Sequence, residues 1–120
     1  MKKLSLLLAA TIVLVGCGLE NNARDSAAAL NGVLTSAQAQ HLAECQADPS
    51  MPHCQLIKRG ISGQNALITA TESYCGWSTT APPPDPTTKC VPVKGAEAAL
   101  KAAITNANEL TLEIKGTVKP

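Results

Sequence analysis

The sequence predicts an all-α fold: a small antiparallel three-helix bundle braced by two disulfides. Three observations carry this. Prolines punctuate the chain at Pro49 and Pro52 and again at Pro82, Pro83, Pro84, Pro86 and Pro92, leaving three Pro-free segments long enough for helices. Within each segment the apolar residues recur at spacings of three and four, the helical period, where a half-buried strand would alternate at two. Four cysteines, Cys45, Cys54, Cys75 and Cys90, fall at the segment ends.

The first helix is expected from about Ala23 to Ala47, with Asn22 as N-cap. Its stripe is Ala23, Ala27, Leu30, Leu34, Ala37, His41 and Cys45, widened by Val33, and Asp48-Pro49 ends it. The second is expected from about Pro52 to Tyr74, with the stripe Cys54, Ile57, Ile61, Gln64, Ile68, Thr71 and Cys75. Gly60 and Gly63 disfavour its interior, each by about 1 kcal/mol relative to Ala. A groove of Gly63, Ala66 and Ala70 against the third helix accounts for them. The third helix starts near Lys94 or Gly95 and ends by Gly116, with the stripe Ala96, Leu100, Ala103, Ala107, Leu110 and Ile114. The ending Glu113–Val118 also reads as a short strand, but has no evident pairing partner. Ala-rich seams mean close packing and a thin core.

An even set of four cysteines in a small exported domain reads as two disulfides. If residues 54–75 form one helix, its ends lie roughly 30 Å apart at 1.5 Å per residue, far beyond the ~7 Å that a bridge spans. Cys54–Cys75 is excluded. Cys45–Cys75 fails too, because Cys45 lies at the hairpin end beside Cys54. Cys45–Cys54 and Cys75–Cys90 remain, each closing a short loop and contributing on the order of 3 kcal/mol.

Composition limits function. The chain has 120 residues, one small domain at most, with 45% hydrophobic and 16% charged residues and no Phe. Tyr74 and Trp77 are its only large aromatics, which argues against base-stacking platforms and aromatic-lined ligand pockets. Net charge is +1, so no bulk attraction to nucleic acid is expected.

The N-terminus carries a processing signal. Lys2 and Lys3 precede an apolar run of 12 residues, Leu4 to Val15, interrupted only by Ser5 and Thr11. That is too short to span a bilayer, which takes about 20 residues, and it matches a secretory signal peptide. The run closes on Leu14-Val15-Gly16-Cys17, which resembles the lipobox of bacterial lipoproteins at all four positions. The resemblance implies a diacylglycerol on the Cys17 sulfur, removal of residues 1–16, and acylation of the new amine. Several acyl chains make a stable anchor. Gly18, in place of the Asp that commonly retains such proteins in an inner membrane, favours an outer membrane, facing the periplasm, where the host has two. From Cys17 onward eight basic groups face nine acidic ones, a net charge near −1. The expected organisation is a removed signal at 1–16, a tether at 17–22, a helical domain at 23–116 with a Pro-rich loop at 79–92, and a tail at 117–120.

His41, Cys45, His53 and Cys54 are the one constellation of metal-ligand types. His41 and Cys45 are i, i+4 on one face, and His53 and Cys54 open the next helix, so thiolate and imidazole could meet at one turn and take zinc or copper. An oxidising envelope consumes both sulfurs in a disulfide, leaving only His41 and His53. No metal and no cofactor beyond the lipid on Cys17 is therefore expected. Cys75 lacks a nearby base for nucleophilic chemistry, and no phosphate-binding or hydrolase motif occurs. Tyr74 and Trp77 either pack over the Cys75–Cys90 bridge or, with Pro83 and Pro84 of the polyproline-like stretch, present a partner surface.

The expectation is a non-enzymatic, lipid-anchored envelope protein with a structural or protein-interaction role. Its partners are the membrane, through acyl chains, and another envelope protein, not nucleic acid. Two alternatives are envelope metal binding through His41, Cys45, His53 and Cys54, and a phage- or plasmid-encoded lipoprotein of the outer-spanin or exclusion type, similar in size and composition.

Overall fold

The computed structural model describes residues 18–77 and 90–119. These form three helices, α1 (Gly18–Ala47), α2 (Pro52–Cys75) and α3 (Glu97–Lys115), each packed on the other two. The fold is the antiparallel three-helix bundle read from the sequence. Helix α1 begins earlier than expected: residues 18–22 are helical, so Asn22 is not its N-cap and the expected tether segment is helical from Gly18 on. The reason lies in Leu19 and Glu20, both buried. They add a turn whose tertiary packing outweighs a local capping signal.

Each boundary has a local cause. After α1 the chain turns through Asp48, whose carboxylate accepts from the Ser50 amide at 3.1 Å and from the Ser50 hydroxyl. Pro52 then opens α2 at a position whose amide would lack an intrahelical partner anyway. Helix α2 stops at Gly76, which adopts φ 67°. There the Trp77 amide donates to Glu72 O at 2.8 Å and the Gly76 amide to Ser73 O at 3.4 Å, the paired bonds of a left-handed glycine cap. Glu97 in the first turn of α3 and Lys115 in the last complement the helix dipole. The segment after Lys115 is a turn, not a strand, and it returns to α1: Gln40 Nε2 donates to Lys119 O at 3.0 Å and the Lys119 amide to Gln40 Oε1 at 2.9 Å.

The expected stripes of α1 and α3 face the core. Leu30, Leu67, Leu100 and Ile114 are its largest fully buried side chains. The α2 stripe is different. Ile61 is 40% and Ile68 45% exposed, while Gly60, Gly63 and Leu67 are buried. Ala66 is exposed as well, so the expected Gly63–Ala66–Ala70 groove is replaced by Gly60–Gly63–Leu67. The helix is turned by one residue relative to its isoleucines because its glycines make the contact. A Cβ on Gly60 would sit 2.5 Å from Ile114 Cδ1 and 2.7 Å from Leu34 Cδ2, and one on Gly63 would meet Leu110 Cδ1.

Both expected disulfides are present. Cys45–Cys54 has Cα atoms 5.6 Å apart and Cys75–Cys90 5.0 Å. They sit at opposite ends of the bundle.

Gly60→Ala forces a methyl against side chains of both neighbouring helices and destabilises by about 1–3 kcal/mol. Gly63→Ala costs less, since one leucine methyl can rotate. Gly32→Ala, with nothing within 4 Å of the added carbon, gains about 0.5–1 kcal/mol of helix propensity. Thermal melts should rank them Gly32→Ala above wild type, then Gly63→Ala, then Gly60→Ala.

Asp48 supplies a pH signature. Its carboxyl is held below the ordinary carboxylate range by the Ser50 hydroxyl and then the Ser50 amide. A folded value below the unfolded one means that the contribution is complete above the unfolded value and is lost as pH falls through the folded one. The melting-temperature gap between wild type and Asp48→Ala should therefore shrink from about pH 6 to about pH 2. A gap that widens on acidification would contradict it.

Candidate functional site

Side chains with chemistry gather at the two disulfide-pinned ends. At one end lie the start of α1, the end of α2 and Cys90. Glu20 is 3% exposed. Its carboxylate takes the Arg24 guanidinium at 2.9 Å and the Cys90 amide at 3.2 and 3.3 Å. This carboxylate carried no signal in the sequence, because a lone Glu near a helix start reads as a solvated dipole partner. In the fold it fixes the point where the Pro-rich segment rejoins the bundle.

Tyr74 is 2% exposed and belongs to the core, so it cannot form part of a partner surface. Trp77 is half-buried, with the Arg24 guanidinium 5.8 Å from its ring centroid. Pro83, Pro84 and Cys17 lie outside the described residues. Cys75 is bonded to Cys90 and is no free nucleophile.

At the other end, α1 contributes His41, Glu44 and Cys45, and the first turn of α2 contributes His53 and Cys54. The histidine rings stack at a tilt, centroids 4.4 Å apart. Cys45 and Cys54 are bonded to each other as expected, so the thiolate–imidazole set of the alternative reading does not exist in this state. Glu44 takes its place. Its Oε2 lies 2.7 Å from His53 Nε2 and 3.7 Å from His41 Nδ1. Sequence spacing could have found it, because Glu44 is i+3 from His41 and shares its face. Beside this cluster Leu42, Pro49, Ile57 and Lys58 help line a groove of about 250 Å³ over the Cys45–Cys54 bridge.

Among the described residues, no helix is long and apolar enough to cross a membrane. Comparison with known proteins gives no match, whether to a family model, a curated protein or a solved structure.

The buried Glu20 yields a test. Glu20→Ala should destabilise by about 1–3 kcal/mol, because it strips the Cys90 amide of its acceptor. Arg24→Ala, removing the more exposed half of the ion pair, should cost less. Chemical denaturation of both variants checks the order. Equal costs would place the stabilisation in the ion pair rather than in the amide contact.

Proposed function

We propose that the protein is a lipid-anchored, non-enzymatic component of a bacterial cell envelope, with a structural or protein-interaction role. The observation that carries this reading is the Leu14-Val15-Gly16-Cys17 sequence behind Lys2-Lys3 and a short apolar run. With residues 1–16 removed and Cys17 acylated, helix α1 starts one peptide bond after the anchor. The bundle then has no stalk. Its Glu20–Cys90 end rests against the bilayer surface, and the His41–His53 end points away from the anchor.

Two further features suit such a role. Both disulfides favour an oxidising compartment. The Cys75–Cys90 bridge closes the Pro-rich segment into a covalent loop. A loop restrained in this way loses less freedom on meeting a partner than a free one does. With Tyr74 in the core, the partner surface of this reading is Trp77 together with that loop, next to the membrane-anchored end.

Mass spectrometry of the native N-terminus tests the reading directly. The mature chain should begin at Cys17 and carry lipid. Cys17→Ser should release the protein from the membrane fraction or leave an uncut precursor. A soluble, unlipidated wild-type protein would overturn the proposal.

A further inference from the structure

We propose that His41 Nδ1, Glu44 Oε2 and His53 Nε2 form a site for a divalent transition-metal ion with nitrogen and oxygen preference, zinc or copper, assembled by the Cys45–Cys54 disulfide.

The Thr117 carbonyl orients the His41 ring. Its Nε2 lies 3.0 Å from Thr117 O. A carbonyl only accepts, so Nε2 carries a hydrogen, and in the neutral imidazole Nδ1 then keeps a lone pair. That Nδ1 is buried, and among the described residues it has no hydrogen-bond partner. A buried acceptor without a donor is costly, and here its near neighbour is another acceptor, Glu44 Oε2, at 3.7 Å.

His53 adds the second point. Its Nε2 is 2.7 Å from the same carboxylate oxygen but makes no hydrogen bond with it, so the contact is close and poorly aligned. Two ligands of one ion stand in this relation, aimed at a third point rather than at each other. In a tetrahedral site with metal–ligand distances near 2.0–2.1 Å, donor atoms lie about 3.3 Å apart. The observed separations of 2.7 and 3.7 Å bracket that value, and each of the three residues offers a donor atom within 4.8 Å of the other two. A cation at their centre would give both buried nitrogens a partner and offset the carboxylate charge.

The surroundings are those of a metal site. The hydrogen bond from His41 to the Thr117 carbonyl is the outer contact that orients a ligating imidazole and fixes its tautomer. Three protein ligands leave a fourth position, and Glu44, with its side chain 51% exposed, opens it to solvent. Two imidazoles and a carboxylate suit zinc or copper rather than calcium or magnesium.

The disulfide has a definite part. Cys45 follows Glu44, and Cys54 follows His53, so the bridge joins the ligand-bearing turns of α1 and α2 one residue from the ligands. Oxidation would consume the ligands of a thiolate site. It builds this one.

Metal-stripped full-length protein should be titrated calorimetrically with Zn²⁺ and, separately, with Cu²⁺, in the oxidised form. One equivalent should bind with a Kd of about 1 µM or tighter, Cu²⁺ more tightly than Zn²⁺. His41→Ala and His53→Ala should each weaken binding on the order of 100-fold, and Glu44→Gln about 10-fold. Glu44 is half exposed, so its variant should fold unchanged by circular dichroism, and metal should raise the melting temperature of wild type but barely that of Glu44→Gln. Replacing both Cys45 and Cys54 by Ser should weaken binding about 10-fold. The Co²⁺-loaded oxidised protein should show no thiolate charge-transfer band. Tighter binding after reduction, together with such a band, would assign the metal to Cys45 and Cys54 and overturn the proposal. So would the absence of stoichiometric binding, or affinity unchanged in both His41→Ala and Glu44→Gln.

Discussion

Gly60 stands where the three helices meet. The space a Cβ would fill there is already taken by Leu34 of α1 and Ile114 of α3, so the approach of α2 to both neighbours is set at this one position. Leu67 lies two turns on and is wholly buried. Alanines sit between the leucines and isoleucines of the seam: Ala23 and Ala37 on α1 and Ala107 on α3 are buried. Such a core is thin, since an alanine removes little apolar area from water compared with leucine or phenylalanine. Close backbone approach compensates by raising the number of dispersion contacts per side chain.

A thin core leaves the bundle ends weakest, and the covalent links are placed there. Cys45–Cys54 holds the α1–α2 turn, and Cys75–Cys90 holds the return of the chain to α3. Each restricts the unfolded chain more than it adds to the folded one. Polar contacts reinforce the same places. The Glu20 carboxylate fixes the Cys90 amide at one end. At the other, the Gln40 amide exchanges two hydrogen bonds with Lys119. The middle is held by packing and the ends by bonds.

The fold was largely legible in the sequence, because proline punctuation, three-and-four spacing and cysteine placement all pointed to one topology. The α2 face was misread because glycine carries no hydropathic signal. Ile61 and Ile68 form a regular stripe, and only a three-dimensional approach reveals that Gly60 and Gly63 displace them to the surface. The start of α1 was missed for a related reason: Glu20 is a charged residue whose burial depends on an amide 70 positions away. At the candidate site, His41 and His53 were legible as ligand types converging at one turn. Glu44 was not, because the neighbouring cysteines offered softer and more familiar ligands and drew the pattern to themselves.

Glu20 and Glu44 show how surroundings decide what one residue type does. They lie 24 residues apart on α1, about 36 Å along its axis, and each is close to a disulfide. Glu20 with Cys75 and Cys90 is also a group of ligand-type side chains within reach of one another. Both sulfurs there are bonded, however, and among the described residues the carboxylate faces donors, the Arg24 guanidinium and the Cys90 amide. Its charge is already met, and a cation would have to displace those donors. Around Glu44 the relation is inverted. The Thr117 carbonyl takes the Nε2 hydrogen of His41, which in the neutral ring leaves the Nδ1 lone pair toward the carboxylate, and His53 approaches out of line. Two imidazole nitrogens and a carboxylate oxygen crowd one point there. The same carboxyl group closes a structural joint at one end of the helix and, at the other, leaves a gap whose electrostatics call for a positive charge.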